Sequence, residues 1–183
     1  MKGHLTKNSF ASIDSDLDDV IDWIKSFNLD VTPTRIQRYR KALRVVREIQ
    51  ETKNEPKAEE MLLEAINILH EIHDLIEVKK GFAVDDHRDY LTPKMADLIS
   101  GPDAYAGEDS SSGNKARNMA FELLIASRLA RKGLPLMPRG SSDIATHVGS
   151  KTVVIECKRP FAEKKVERRI KDAFLQLKRA YKG

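Results

Sequence analysis

Apolar residues recur at intervals of three and four along the first hundred positions of this 183-residue chain. Such spacing places them on one side of a helix, so the pattern predicts an all-helical segment. Prolines and acidic residues, which are favoured in the first turn of a helix, indicate where these helices begin. The predicted helices are 16–25, 33–52, 56–78 and a shorter one at 93–99.

The apolar pattern changes in the second half of the chain. A helix at 115–132 is predicted to begin after an N-cap at Asn114 and to end at Gly133. Two runs rich in β-branched and apolar residues then flank Gly149-Ser150, which predicts a β-hairpin. The segment 134–138 is a weaker candidate for a preceding strand, because it holds two prolines.

A polar segment at 101–114, rich in glycine and serine, separates the two patterns. This composition is typical of linkers. The sequence therefore predicts a helical domain at 1–100, a linker at 101–114 and an α+β domain at 115–183. For the helical domain, three roles remain open, namely oligomerisation, partner binding and the positioning of DNA.

The predicted hairpin brings acidic and basic side chains to one end of a small sheet. Strand pairing about Gly149-Ser150 puts Asp143 roughly level with Glu156. Alternation along the strand puts Glu156 and Lys158 on one face and Cys157 on the other. Two carboxylates and an ammonium at one place can hold a hard divalent cation and an activated water beside a phosphodiester.

With an Asp before the hairpin and Glu-x-Lys after it, the chain resembles the PD-(D/E)xK nuclease superfamily, which has the restriction-endonuclease-like fold. The resemblance covers about residues 115–181. It implies an α-β-β-β-α core in which Asp143, Glu156 and the backbone carbonyl of Cys157 bind Mg²⁺ or Mn²⁺. It also implies that Lys158 positions or activates the attacking water.

The core of that family continues from its second helix into a fourth strand. In this sequence no residues follow the second predicted helix beyond Lys182-Gly183. The expected core therefore lacks the usual fourth strand. A truncated domain and a sheet edge capped by another subunit both remain open.

Glu122 borders the apolar stripe of the helix at 115–132, three residues after Met119 and four before Ala126. A carboxylate in that place is costly unless it has a partner. Family members often carry a further Glu on this helix, so the resemblance implies that Glu122 is an additional metal ligand and catalytic residue. A glutamate that reaches solvent or an arginine is an equally good interpretation.

A last helix, predicted from Phe161 to Tyr181, combines an apolar face with many basic residues. Superfamily members of the RecB type carry a Gln and a Tyr on this helix, and Gln176 and Tyr181 are similar to that pair with one residue more between them. Gln176 is therefore a candidate site residue, and Tyr181 is predicted to lie in the core. The predicted nucleic-acid contacts are Lys164, Arg168, Lys171, Arg179 and Gln176.

Charge also separates the two halves. Residues 1–114 hold 15 Lys and Arg against 22 Asp and Glu, and residues 115–183 hold 17 against 6. The net charges are therefore −7 and +11. A basic block around an acidic cluster suits a polyanion such as DNA. Aromatic residues are few, so binding of single strands by base stacking has little support.

Composition sets further limits. No apolar run approaches the roughly 20 residues that a membrane span needs, and the N-terminus lacks the apolar stretch of a signal peptide. The single cysteine, Cys157, excludes an internal disulfide and fits a reducing cytoplasm. His70 and His73 lie one helical turn apart near Asp74, but the spacing is not that of a zinc motif, so we interpret them as surface or core residues.

The sequence thus predicts a cytoplasmic, Mg²⁺- or Mn²⁺-dependent nuclease that acts on DNA. The alternative is a non-catalytic nucleic-acid-binding or assembly module that retains the nuclease fold. In either case DNA is the expected partner, and a homo-oligomer or partner subunit could bind through the N-terminal helices.

Overall fold

Helices make up most of the structure, a computed structural model whose described part contains six helices and one two-stranded antiparallel sheet. The described residues are 7–32, 34–52, 55–83, 87–101, 115–137, 142–159 and 165–180. The elements are α1 (Lys7–Lys25), α2 (Arg35–Thr52), α3 (Glu55–Gly81), α4 (Arg88–Ile99), α5 (Lys115–Arg131), β1 (Ile144–Val148), β2 (Lys151–Ile155) and α6 (Val166–Ala180).

The mixed α+β class is confirmed, and each predicted helix has a counterpart. The predicted first residues of two helices were wrong. Helix α1 begins at Lys7 rather than Asp16, and α4 begins at Arg88, which leaves Pro93 inside the helix rather than in its first turn. A proline inside a helix removes one backbone hydrogen bond without always ending the helix, so it was a poor marker of the boundary. The predicted N-cap Asn114 lies outside the described residues.

Helices α1 to α5 share one hydrophobic core. Helix α3 packs against α1, α2 and α5, and α5 packs also against α4. Fully buried side chains such as Ile21, Tyr39, Leu75 and Leu123 join this core from four different helices. Helices on both sides of the 101–114 segment therefore bury their apolar stripes against each other. Residues 102–114 are outside the described part, and the domain boundary there stays a prediction.

A buried ionic cluster fixes four of the helices. Glu71 of α3 accepts hydrogen bonds from Arg35 and Tyr39 of α2 and from Arg117 of α5, the last at 2.7 Å. The Arg35 guanidinium also donates to the carbonyl of Leu98 in the last turn of α4, at 2.9 Å. That carbonyl is one of the helix-end acceptors that no intrahelical donor can reach. The cluster therefore sets the positions of α2, α3, α4 and α5 relative to one another.

The hairpin forms in the predicted register. Ile144 pairs with Ile155 and Val148 with Lys151, and Gly149 in the turn has a φ of 61°. Glycine adopts positive φ without the steric cost that a Cβ would bring. The inner face of β1 carries Ile144 and Thr146, each 1% exposed. Helix α5 ends at Arg131, one residue before its predicted end, and Gly133, which was predicted to terminate it, follows with a φ of 71°.

The predicted first strand is reduced to a single bridge within the described residues. Leu136 pairs with Thr146, and the Met137 amide donates to the Ala145 carbonyl at 2.9 Å. Pro135 lacks an amide proton, and its carbonyl accepts instead from the Thr146 hydroxyl at 2.8 Å. The three-stranded core of the expected nuclease fold is therefore seen only as two strands and this bridge. The restriction-endonuclease-like fold stays a prediction.

Helix α6 contacts β2, but part of its apolar face remains open to solvent. Ile170 and Phe174, which belong to the apolar face of this helix, are 64% and 66% exposed. The described helix begins at Val166, while residues 160–164 and Tyr181 lie outside the described part. Of the helices in the described ranges, none has the length and apolar character of a bilayer span.

Candidate active site

Asp143 and Glu156 meet at the open end of the hairpin. The register pairs Ile144 with Ile155, so the next residues outward on the two strands are Asp143 and Glu156. Both side chains point to the same place, because the Lys158 ammonium lies 2.5 Å from Glu156 Oε1 and 3.8 Å from Asp143 Oδ2. The predicted convergence of these three residues is confirmed.

The main chain helps to hold the Asp143 carboxylate. The amide of Cys157 donates a hydrogen bond of 2.7 Å to Asp143 Oδ2. A carboxylate that accepts a backbone amide has fewer rotamers available, so this bond fixes the Asp143 side chain against the end of β2. The adjacent Cys157 thiol packs against the core, and burial raises its pKa to about 12. The thiol is therefore protonated at neutral pH and is not a nucleophile.

Glu156 is the more deeply buried carboxylate, with a side chain that is 1% exposed. Its Oε1 accepts from Lys158, whereas Oε2 is buried and accepts no hydrogen bond from the described residues. Burial raises the pKa of the Glu156 carboxyl, the Lys158 ammonium opposes that rise and the Asp143 carboxylate adds to it. A buried carboxylate oxygen with no donor is an acceptor position that a cation or a proton can fill.

Glu122 has a partner that the sequence did not predict. Its carboxylate binds the ammonium of Lys94, and both residues are buried. Lys94 also donates to the main-chain carbonyl of Asp143 at 3.2 Å. A lysine of α4 therefore balances the charge of Glu122. No sequence pattern pointed to this lysine, because its environment depends on how α4 packs against α5.

Tyr90 lies one turn before Lys94 on α4 and extends the same cluster. The Lys94 ammonium lies 4.7 Å from the centroid of the Tyr90 ring, within cation–π range. The Tyr90 hydroxyl is buried and has no hydrogen-bond partner among the described residues. Burial raises the pKa of this phenol, and the negative charges of Glu122 and Asp143 add to the rise. Tyr90 therefore stays protonated at neutral pH, and its neutral hydroxyl can donate or accept a hydrogen bond.

An open groove leads away from Lys158 along α6. Its volume is about 360 Å³, and it is lined by Lys158, Arg169, Asp172, Leu175, Gln176 and Arg179. Gln176 and Arg179 were predicted contacts, and both lie in the groove. Arg169 was missed, although 169, 172, 176 and 179 follow the helical spacing that puts residues on one face.

The other predicted contacts lie elsewhere. Arg168 and Lys171 are exposed and do not line the groove, and Lys171 pairs with Glu167 at 2.7 Å. Lys164 lies outside the described residues. The helical phase explains the difference, because residues one position apart on a helix point about 100° away from each other. The basic surface of α6 therefore has a groove side and an outer side.

Few side chains among the described residues are placed where they could bind a metal ion. Within the described ranges, no group of three or more His, Cys, Asp and Glu residues is placed to hold a metal ion. His70 and Asp74 instead line a small cavity of about 70 Å³ together with Arg35 and Arg117. At the hairpin the available side-chain oxygens are those of the Asp143 and Glu156 carboxylates. Mg²⁺ is commonly bound by one or two carboxylates and several waters, so this donor set fits Mg²⁺ better than zinc.

Comparisons of the chain with family models, with curated proteins and with solved structures find no match.

Proposed function

We propose that this protein is a divalent-metal-dependent nuclease that hydrolyses DNA phosphodiester bonds. The observation that carries the proposal is the meeting of Asp143, Glu156 and Lys158 at one end of the hairpin. Two carboxylates would repel each other in a buried place without a cation. The Lys158 ammonium balances one of these charges, which leaves the pair with net negative charge.

The donor chemistry fits Mg²⁺ or Mn²⁺. Asp143, Glu156 and the Cys157 carbonyl would hold the ion, since the Oε2 atom of Glu156 is buried without a hydrogen-bond donor among the described residues. When bound, such an ion supplies Lewis acidity toward a phosphoryl oxygen and lowers the pKa of a water. Glu156 must be ionised to bind it, and the nearby positive charge would help Glu156 to lose its proton.

Lys158 is the residue proposed to act on the reacting phosphate. Lys158 stands where the carboxylates adjoin the groove, because its ammonium contacts Glu156 and the residue also lines the groove. A fixed ammonium in that place favours the extra negative charge that develops when a phosphodiester is attacked. The same ammonium can also hold the attacking water by a hydrogen bond.

The groove along α6 is the proposed path of the nucleic-acid backbone. Arg169 and Arg179 supply positive charge to it, and the Gln176 amide supplies a neutral donor and acceptor. Phosphate contacts of this type do not depend on base sequence. The net charge of +11 over residues 115–183 adds a long-range attraction for DNA.

A non-catalytic DNA-binding module is the second candidate. The observation in its favour is that Lys158 already binds the Glu156 carboxylate at 2.5 Å, so one metal-binding oxygen is occupied by an ammonium. In such a protein the three residues would act as a structural ion network, and DNA would still bind along α6. The two candidates differ in one outcome, which is cleavage.

The test is a cleavage assay with the purified chain and Mg²⁺ or Mn²⁺, on supercoiled, linear and branched DNA and on RNA. The proposal expects cleavage of at least one DNA substrate with Mg²⁺ or Mn²⁺ and none with EDTA. Ca²⁺ should not support cleavage, because its longer and looser coordination positions a water poorly. Salt-dependent DNA binding without any cleavage would favour the second candidate.

A further inference from the structure

The side chain of Lys94 is among the most deeply buried charged groups of the described protein, with a side chain 2% exposed to solvent. Its ammonium makes three contacts: the Glu122 carboxylate, the Asp143 main-chain carbonyl at 3.2 Å and the face of the Tyr90 ring. All three are groups that carry negative charge or partial negative charge. The positive charge of the ammonium is therefore balanced by groups of α4, α5 and the start of the hairpin.

The oxygens around Lys94 are also those that a hard divalent cation prefers. A carboxylate and a main-chain carbonyl are standard ligands for Mg²⁺ and Mn²⁺. The carbonyl belongs to Asp143, whose carboxylate lies beside Glu156 and Lys158. The oxygen atoms around Lys94 therefore adjoin the carboxylates at the end of the hairpin. Asp143 belongs to both groups, through its carbonyl and its carboxylate.

We propose that the Lys94 ammonium is a built-in cation that takes the place of a metal ion at Glu122. The protein then binds one divalent ion fewer than its oxygens could hold, and Glu122 acts as a structural anchor instead of a metal ligand. The inference deepens the proposed function, on which it rests for the ion at Asp143 and Glu156. Lys94 is in this account a positioning residue that acts through the Asp143 main chain.

The geometry explains why an ammonium serves this purpose. It stays bound without any free metal in solution, so the Asp143 carbonyl and the Glu122 carboxylate keep their places in the metal-free protein. Helix α4 thereby presets the position of the hairpin end before an ion or DNA arrives. Preset ligands bind with a smaller loss of conformational freedom.

The experiment counts Mn²⁺ ions per chain by electron paramagnetic resonance, which reports the free ion during a titration. Lys94→Met keeps most of the length of the side chain and removes its charge. We expect Lys94→Met to bind two Mn²⁺ ions per chain and the wild type to bind one. Lys94→Arg, which keeps the charge, should bind as many ions as the wild type.

The double variant Lys94→Met/Glu122→Gln is the matched control, because it removes both charges of the pair. It should return to the wild-type count, since the added ion requires the Glu122 carboxylate. An equal count for Lys94→Met and wild type overturns the inference, and so does a wild type that already binds two ions. A wild type that binds none, beside a Lys94→Met that binds one, would contradict the proposed function but leave the inference intact.

A folding measurement covers the case in which Lys94→Met does not fold alone. Near-ultraviolet circular dichroism follows the refolding of Lys94→Met and of the double variant with and without Mn²⁺. We expect Mn²⁺ to restore or stabilise the fold of Lys94→Met. Mn²⁺ should also raise the melting temperature of Lys94→Met more than that of the double variant. Failure of Mn²⁺ to do so, while the double variant folds, would overturn the inference.

Discussion

Lys94 of α4 and Glu122 of α5 form an ion pair whose side chains are 2% and 10% exposed, although 28 residues separate them in the sequence. Lys94 extends this pair to the hairpin through the Asp143 carbonyl. The candidate active site is therefore supported by a helix that precedes the 101–114 segment. The helical part of the chain contributes directly to the environment of the site.

The first prediction concerns the stability of this pair without metal. Lys94→Met should destabilise the protein by about 3–5 kcal/mol, because it leaves the Glu122 carboxylate buried without its cation. Lys94→Met/Glu122→Gln should recover most of that loss, since the second change removes the unpaired charge. Urea denaturation in EDTA measures both values. A double variant as unstable as Lys94→Met would show that packing, and not charge, determines the cost.

The hairpin could be predicted from sequence because its signals are local. The Gly149-Ser150 turn and the alternating strands set the pairing, and the pairing alone placed Asp143 opposite Glu156. The environment of Glu122 could not be predicted. Apolar periodicity indicated that Glu122 borders a buried stripe, but the partner came from α4, whose position depends on packing among several helices.

Helix α6 shows an intermediate case. A helix in this part of the chain and its amphipathic character were predicted, and the groove residues Gln176 and Arg179 were among the predicted contacts. Arg169 could have been found from its spacing of seven to Gln176. The exposure of Ile170 and Phe174 could not have been found, because apolar spacing shows that a face exists but not what covers it.

A second prediction separates the two sides of α6. Charge reversal of the groove residues, Arg169→Glu/Arg179→Glu, should weaken DNA binding strongly and lower the salt dependence of the binding constant by about two phosphate contacts. The matched control, Arg168→Glu/Lys171→Glu, changes the same charge on the outer side and should weaken binding less. Fluorescence anisotropy at several salt concentrations measures both. An equal effect of the two double variants would argue against the groove as the DNA path.

A third prediction concerns the contact between α3 and α5. A Cβ at Gly81 would lie 2.4 Å from the Ser127 Cβ and 2.6 Å from the Ser127 carbonyl oxygen. Gly81→Ala should therefore force α5 away from α3, at a cost of about 1–3 kcal/mol. Gly149→Asn, in a turn with open space around it, is the control and should change stability by less than about 1 kcal/mol. Thermal unfolding of the two variants decides whether the helices approach as closely as described.

A fourth prediction concerns pH. Burial raises the pKa of Asp74, with His73, His70 and Arg128 opposing the rise and Glu71 adding to it. The folded state therefore holds the Asp74 proton more tightly than the unfolded state, so this contribution to stability is present at low pH and is lost as pH rises through the folded pKa.

Asp74→Asn removes that loss. The variant should gain stability relative to the wild type as pH rises from about 4 to about 7, the range that begins at the unfolded pKa of an aspartate. Urea denaturation at both ends of the range measures the difference. If the gain in unfolding free energy of Asp74→Asn over the wild type is constant with pH, or larger at the acid end, the raised pKa of Asp74 is contradicted.

A fifth prediction assigns Lys158 to the chemical step. Lys158→Gln should lower the single-turnover cleavage rate by about 10²–10³, the cost typical of removing one donor from a developing negative charge. Mn²⁺ affinity should fall little or rise, because lysine is not a ligand and competes for Glu156. Lys158→Arg should recover part of the rate. A rate for Lys158→Gln close to that of the wild type would remove Lys158 from the mechanism.

The most direct test of the central claim is the Mg²⁺-dependent cleavage of supercoiled DNA by the wild type, Glu156→Gln and Asp143→Asn, at matched levels of bound DNA. Glu77→Gln and Asp22→Asn make the same chemical changes at partly or largely exposed ion pairs away from the hairpin. We expect cleavage by the wild type and both controls, and none by the two site variants, which should bind DNA at least as well because each loses a negative charge. Cleavage that persists in Glu156→Gln and Asp143→Asn, or that is absent from folded wild-type protein, would contradict the account.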